Sequence, residues 1–231
     1  MAAADDTRKL DRGTAWVGIA SGIAGVLDLV TTLACLWLWL TPTELGTATI
    51  AGATLPVIER LGGLGMREAL VRHADGADRR ALSTMMWVSV IGSAILLTLL
   101  ALLRRPIGGL FEDSIVGTLV VGFAIKQLVG TFGIVPEALL RRDLAFEPLS
   151  RIRVIGTFAD QVTKVVVAYL GAHGHPDLKV WAFVLGPMVN GFVVTAGLQL
   201  AHPWRPAFEF DVRGAIHALR FGAQVSTGEL F

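Results

Sequence analysis

The feature that most limits this chain is the recurrence of apolar runs of about 20 residues, the length at which a helix rising about 1.5 Å per residue covers a hydrocarbon core about 30 Å thick. The runs fall near residues 14–40, 46–66, 83–103, 114–138, 152–170 and 180–200. Runs this long and continuous specify helices rather than barrel strands, which are about 10 residues long and alternate in polarity. The predicted fold class is therefore all-α: a polytopic transmembrane helical bundle of six spans, with the start of a seventh after Arg213. Composition agrees, since 53% of the 231 residues are hydrophobic and 17% charged, with a mean hydropathy of +0.62. A soluble domain carries about 25% charged residues. The second run is irregular: Pro56 interrupts it before it continues through RLGGLGM. Such breaks are tolerated within a membrane when neighbouring helices satisfy the freed backbone groups.

On six spans, most of the Lys and Arg residues share one side: those of the N-terminal segment, the arginines between 60 and 80, Arg141, Arg142, Arg151, Arg153 and the arginines after 204. The other side receives Arg104, Arg105 and Lys179. That asymmetry places the N-terminus in the cytoplasm. MAAADDTRKLDR followed by the first run reads as an uncleaved signal anchor, because a signal peptide has an apolar stretch of only about 7 to 15 residues. The loops leave no room for a further domain. Residues 1–212 are expected to form one N-terminal transmembrane bundle, and residues 213–231 begin a further helix that stops at Phe231, a pattern expected of a truncated product.

Several function classes fall away. A net charge of +1 with one short basic tract, RKLDR, gives no nucleic-acid footprint. Cys35 is the single cysteine, so an intrachain disulfide and a cysteine metal cluster are both excluded. HGHP, with His173 and His175, lacks acidic or cysteine companions and reads as a solvated turn. No Ser, His and Asp set has a nucleophile's context, and the chain reads as a non-enzyme without a cofactor. Trp37, Trp39, Trp181 and Trp204 stand near span ends, where aromatic anchors belong.

Charges inside the runs carry the functional signal. TFADQVTKVVVAYL at 157–170 places Asp160, Gln161 and Lys164 within an otherwise apolar segment. Along the helix Asp160 lies about 12 Å and Lys164 about 18 Å from Ile152, Lys126 about 18 Å from Ser114, and Asp28 about 21 Å from Thr14. At a lipid-facing centre each charge costs at least about 2.5–3.5 kcal/mol, so these groups should face a water-filled cavity or one another. Asp160 and Lys164, spaced i, i+4, either pair privately or face the cavity. Lys126 has no local partner, since Gln127 lies on a different face. Asp28 is its candidate partner, or a proton acceptor.

A series of landmarks runs almost end to end: TPTELG at 41–46, RLGGLGMREALVRH at 60–73, STMMW at 83–87, VPEALLRRDLAF at 135–146, WRPAFEFD at 204–211 and LRFGAQV at 219–225. In their order and spacing the chain resembles the bacterial polysaccharide flippases, the O-antigen and exopolysaccharide transporters of the multidrug/oligosaccharidyl-lipid/polysaccharide exporter superfamily. VPEALLRRDLAF is the most specific landmark. RLGGLG departs from the family, which more often has an acidic residue before LG. The resemblance implies the N-terminal half of a two-lobe transporter in the cell inner (plasma) membrane, with the C-terminal lobe missing. Such a protein moves a polyprenyl-diphosphate-linked glycan from the cytoplasmic to the outer leaflet by alternating access. Its implied partners are the lipid-linked oligosaccharide, membrane lipids and a coupling proton or cation.

Under that resemblance Lys126, Lys164, Asp160, Asp28, Gln127 and Gln161 line the substrate cavity. The two lysines would hold the anionic diphosphate, which a low-dielectric cavity binds better than water does. Asp28 and Asp160 would balance charge or exchange protons, and Arg141 and Arg142 would receive the head group at the cytoplasmic entrance. The alternatives are a drug or small-cation exporter of the same superfamily and an inactive truncated remnant.

Overall fold

The computed structural model describes residues 2–63, 79–176 and 178–207, the first fourteen of them by backbone alone. The described residues form α1 (Ala2–Leu38), α2 (Pro42–Ala53), α3 (Leu55–Gly63), α4 (Arg79–Leu110) and α5 (Ser114–Gly130). A single 3-10 turn (Thr131–Gly133) then leads to α6 (Ile134–Arg142), α7 (Phe146–His173) and α8 (Leu178–Ala201). No strand occurs among them.

Local chemistry sets several boundaries. Thr41 caps α2 in a reciprocal box, its Oγ1 accepting from the Glu44 N–H at 3.3 Å while its own N–H donates to Glu44 Oε2 at 2.7 Å, with Pro42 opening the helix. Asp113 caps α5 by accepting from the Ile115 N–H at 3.0 Å, and also accepts from the Thr47 hydroxyl at 3.1 Å, which ties α2 to α5. The break expected near Pro56 falls at Thr54, whose hydroxyl donates back to the Ala51 carbonyl at 2.6 Å before α3 opens with Leu55 and Pro56. Continuation through residues 64–66 and the run after Arg213 lie outside the described residues.

Among the described residues, four stretches are long and apolar enough to cross a membrane: Trp16–Leu38, Arg79–Leu110, Ser114–Arg142 and Leu178–Ala201. The other two runs fall short for physical reasons. α7 has the length, at 28 residues, but carries Arg151, Arg153, Asp160 and Lys164; α2 and α3 are separate pieces of 12 and 9 residues. The third run, read from the sequence as ending at Leu103, extends through Arg104, Arg105 and Pro106 to Leu110. There Gly117 of α5 packs against the Arg104 carbonyl so closely that a Cβ would overlap it.

α7 and α8 are antiparallel, with Gly156 against Asn190 and Val194 near one end and Gly171 against Lys179 at the other. α1 runs parallel to α7, Cys35 sharing a buried cluster with Ala168 and Ala182. α5 lies parallel to α8, Gly122 meeting Val184 and Trp181, and its buried face, including Leu119 and Phe123, joins Ala48, Ala51 and Ile58 of α2 and α3 in the main apolar core. Large apolar side chains stand outward, among them Ile95 and Leu102 of α4 and Ile155, Phe158, Val162 and Val166 of α7. Ser83, Ser93, Gln127, Glu137, Asp160 and Lys164 are buried. An apolar exterior with the charged groups turned inward is the distribution a hydrocarbon solvent demands.

Candidate functional site

A cavity of about 790 Å³ lies among α1, α3, α5, α6, α7 and α8. Val17, Ala20, Ser21 and Ala24 of α1 give it one small-residue wall. Its charged lining comprises Lys126, Glu59, Glu137, Arg141 and Arg153, three cations against two carboxylates. Lys126 Nζ donates to Glu59 Oε1 at 2.6 Å, joining α5 to α3, and both side chains remain partly exposed, at 21% and 46%. Gly62 makes that approach possible, because a Cβ there would stand 2.9 Å from Gln127 Cγ and 3.1 Å from Ser93 Oγ, whose hydroxyl donates to the Gly62 carbonyl at 3.0 Å.

Where α6 meets α7, the wall is built around buried Glu137. Arg141, one turn on, donates to Glu137 Oε1 from Nε at 3.1 Å and from Nη2 at 2.8 Å; Arg153 of α7 donates to the same oxygen from Nη2 at 2.6 Å. Ser150 lines the cavity one helical turn before Arg153, only 2% exposed, and its hydroxyl has no hydrogen-bond partner among the described residues.

A second charged group lies farther along α7, roughly 16 Å from Arg153 by helix rise. Lys164 Nζ donates to Asp28 Oδ1 at 2.6 Å, Gln161 Nε2 donates to the same oxygen at 3.2 Å, and Lys164 Nζ is 3.3 Å from Asp160 Oδ1. The last contact is an ion pair without hydrogen-bond alignment, so Asp160 Oδ1 and Gln161 Oε1 are buried with no hydrogen-bond partner among the described residues. Lys164 and Asp160 are sealed in, and α8 crosses them at Gly186, where a Cβ would collide with Asp160 Oδ1 and stand 2.8 Å from Lys164 Cγ. The Asp28 side chain, although bonded to Lys164 and Gln161 of α7, is 56% exposed. Lys164 Nζ also stands 5.9 Å from the Phe183 ring centroid, within cation–π range.

The residues read from the sequence thus divide into two groups. Lys126, Gln127 and Arg141 line the cavity; Asp28, Asp160, Gln161 and Lys164 do not, and join one another instead. Lys126 is not unpartnered, since Glu59 meets it, and Asp28 pairs with Lys164 rather than with Lys126. Arg142 turns away from the cavity to Asp143, 3.0 Å from its Nε. Sequence reasoning missed Glu59, Glu137, Arg153 and Ser150 as cavity residues. The i, i+4 spacing of Glu137 and Arg141 was the available signal for one of them.

These features define a helical, membrane-type protein whose interior offers an ion-lined cavity. The chain belongs to the polysaccharide biosynthesis protein family, whose model matches residues 38–231. It is similar to the teichuronic acid biosynthesis protein TuaB of Bacillus subtilis (strain 168), at 24% identity over 221 residues, covering 94% of this chain and 44% of that relative. The chain therefore spans less than half the length of the curated relative it matches. No solved structure matches it.

Proposed function

We propose that this chain is the N-terminal lobe of an inner-membrane flippase that moves a polyprenyl-diphosphate-linked glycan from the cytoplasmic to the outer leaflet by alternating access. The observation that carries this reading is the cavity whose walls hold Lys126, Arg141 and Arg153 in a chain of the polysaccharide biosynthesis family. An anionic head group gains most from such cations where water is scarce, and no bond need be made or broken. The arrangement of passes agrees with six spans: α1, α2 with α3, α4, α5 with α6, α7, and α8. The arginines of α6 and the start of α7 then lie on the cytoplasmic side, by the excess of basic residues there.

Asp28 supports a two-lobe assembly. A carboxylate half exposed at mid-span depth would be costly against lipid, so the exposed side of Asp28, beside the α1–α7 contact, is better suited to water or to a second lobe. In this reading residues 213–231 begin that second lobe. Asp28 and Asp160 are the groups placed to take a coupling proton or cation, through the uneven count of two acids around Lys164.

Glycan export in the native host, with Lys126→Ala introduced at the chromosomal locus, tests the proposal. The expected result is lipid-linked glycan retained in the cytoplasmic leaflet and surface polysaccharide reduced by roughly tenfold or more, the scale of losing one charge-assisted contact. Unchanged surface polysaccharide at a normal protein level would sink it.

A further inference from the structure

We propose that Glu137, Arg141 and Arg153 form an exchange clasp, in which the Glu137 carboxylate holds the place that a phosphate group of an incoming organic diphosphate takes. The inference rests on the flippase reading for its ligand class and on the geometry for its site. Both arginines reach Glu137 through one oxygen, Oε1, which receives three N–H donors within 3.1 Å. A guanidinium fork is best matched by two oxygens, one for each N–H. At Oε1 the Arg141 fork shares a single oxygen with one N–H of Arg153, so that oxygen gives the Arg141 fork no second acceptor. A diphosphate, with several oxygens on each phosphorus, satisfies each fork separately.

The surroundings favour an anion. The cavity wall carries three cations and two carboxylates among the described residues, and Ser150, one helical turn before Arg153, presents a buried hydroxyl with no hydrogen-bond partner among them. A hydroxyl can donate to a phosphate oxygen. Arg141 and Arg153 remain partly exposed, at 35% and 43%, so the donors can swing from Glu137 to a ligand without unpacking the bundle. Glu137 itself is buried, which keeps the site occupied by a carboxylate when no ligand is there. In this scheme Arg153, not Arg142, is the second arginine of the entrance.

A purely structural pin between α6 and α7 makes the opposite prediction from an exchange clasp. The test is binding of inorganic pyrophosphate to the detergent-purified protein by isothermal titration calorimetry, with thermal unfolding followed in parallel. Glu137→Gln removes the competitor and is expected to tighten pyrophosphate by about fivefold or more, while Arg153→Gln and Ser150→Ala weaken it, the arginine by roughly tenfold. A folded Glu137→Gln protein with equal or weaker binding overturns the proposal. If that variant does not fold, Arg153→Gln decides: a roughly tenfold loss supports the clasp, and unchanged affinity overturns it. Pyrophosphate binding without glycan export in the host would leave the clasp standing and sink the flippase reading; export that survives with no pyrophosphate binding would do the reverse.

Discussion

Two lysines within the spans, Lys126 and Lys164, stand in opposite situations. Lys126 sits on the wall of the cavity in a half-open pair with Glu59, whereas Lys164 is 7% exposed and clamped between Asp28 of α1 and Asp160 of its own helix, beneath Gly186 of α8. The difference separates two uses of a buried charge. A pair that keeps contact with a cavity can be exchanged for a ligand at little cost to the fold. The sealed pair of Lys164 and Asp160 is a fastener, because removing the lysine strands a buried Asp160 in a medium that does not solvate it.

The comparison breaks most visibly at Lys164. Lys164→Ala leaves two carboxylates facing each other without a cation and should destabilise the detergent-solubilised protein by about 3–5 kcal/mol, read by thermal or denaturant unfolding. A triple variant, Lys164→Met with Asp28→Asn and Asp160→Asn, should recover most of that loss, since an apolar and neutral set avoids the desolvation cost. A K164A protein of normal stability would show that the cluster fastens nothing.

The glycines of α8 give a sharper version. Gly186→Ala drives a methyl into Asp160 and within 3.0 Å of its backbone carbonyl, and should cost about 1–3 kcal/mol as an overpacking change. Gly191→Ala, little more than a turn away on the cavity side, meets Lys126 Cγ at 3.2 Å, a flexible stem that can move, and the Lys126 carbonyl at an ordinary 3.8 Å, and should stay within about 0.5 kcal/mol of the parent. Equal effects at the two positions would erase the distinction between sealed and open layers.

Hydropathy made the helices legible because each long run is apolar over a whole turn-by-turn period, and α5 and α8 need nothing else to be recognised. The pairing of charges was legible only where it is local. Asp160 and Lys164 are four residues apart on one helix, but Asp28 reaches Lys164 from 136 positions away, and only the parallel packing of α1 on α7 brings them together. Glu59 stands in the run that Pro56 interrupts, and only the packing of α3 on α5 carries it to Lys126. Arg141 and Arg142 are indistinguishable as a basic pair in sequence. On a helix they point about 100° apart, and that turn sends one to Glu137 and the other to Asp143.

On the open side of the comparison, Lys126→Ala should change stability by less than about 1 kcal/mol, because its pair with Glu59 is partly exposed, while still reducing export. That split, function lost with the fold retained, is the reverse of the K164A outcome, and unfolding and export measured on the same variants decide it.

The smallest effect is expected at the far end of α8, where Lys179 Nζ stands 3.4 Å from Glu44 Oε1. Burial alone would raise the Glu44 carboxyl, but the hydrogen bonds from the Thr41 N–H and hydroxyl, together with Lys179, outweigh it and hold the group below the ordinary carboxylate range. A folded value lowered in this way adds stability above the unfolded value of about 4.3, and that stability disappears as pH falls through the folded value. Unfolding curves between neutral pH and the acid range should therefore show a shallow loss that Glu44→Gln flattens, with the two proteins differing most at neutral pH and converging at the acid limit. A Glu44→Gln protein that keeps the full acid loss would show that the contacts of Glu44 with Thr41 and Lys179 do not set it.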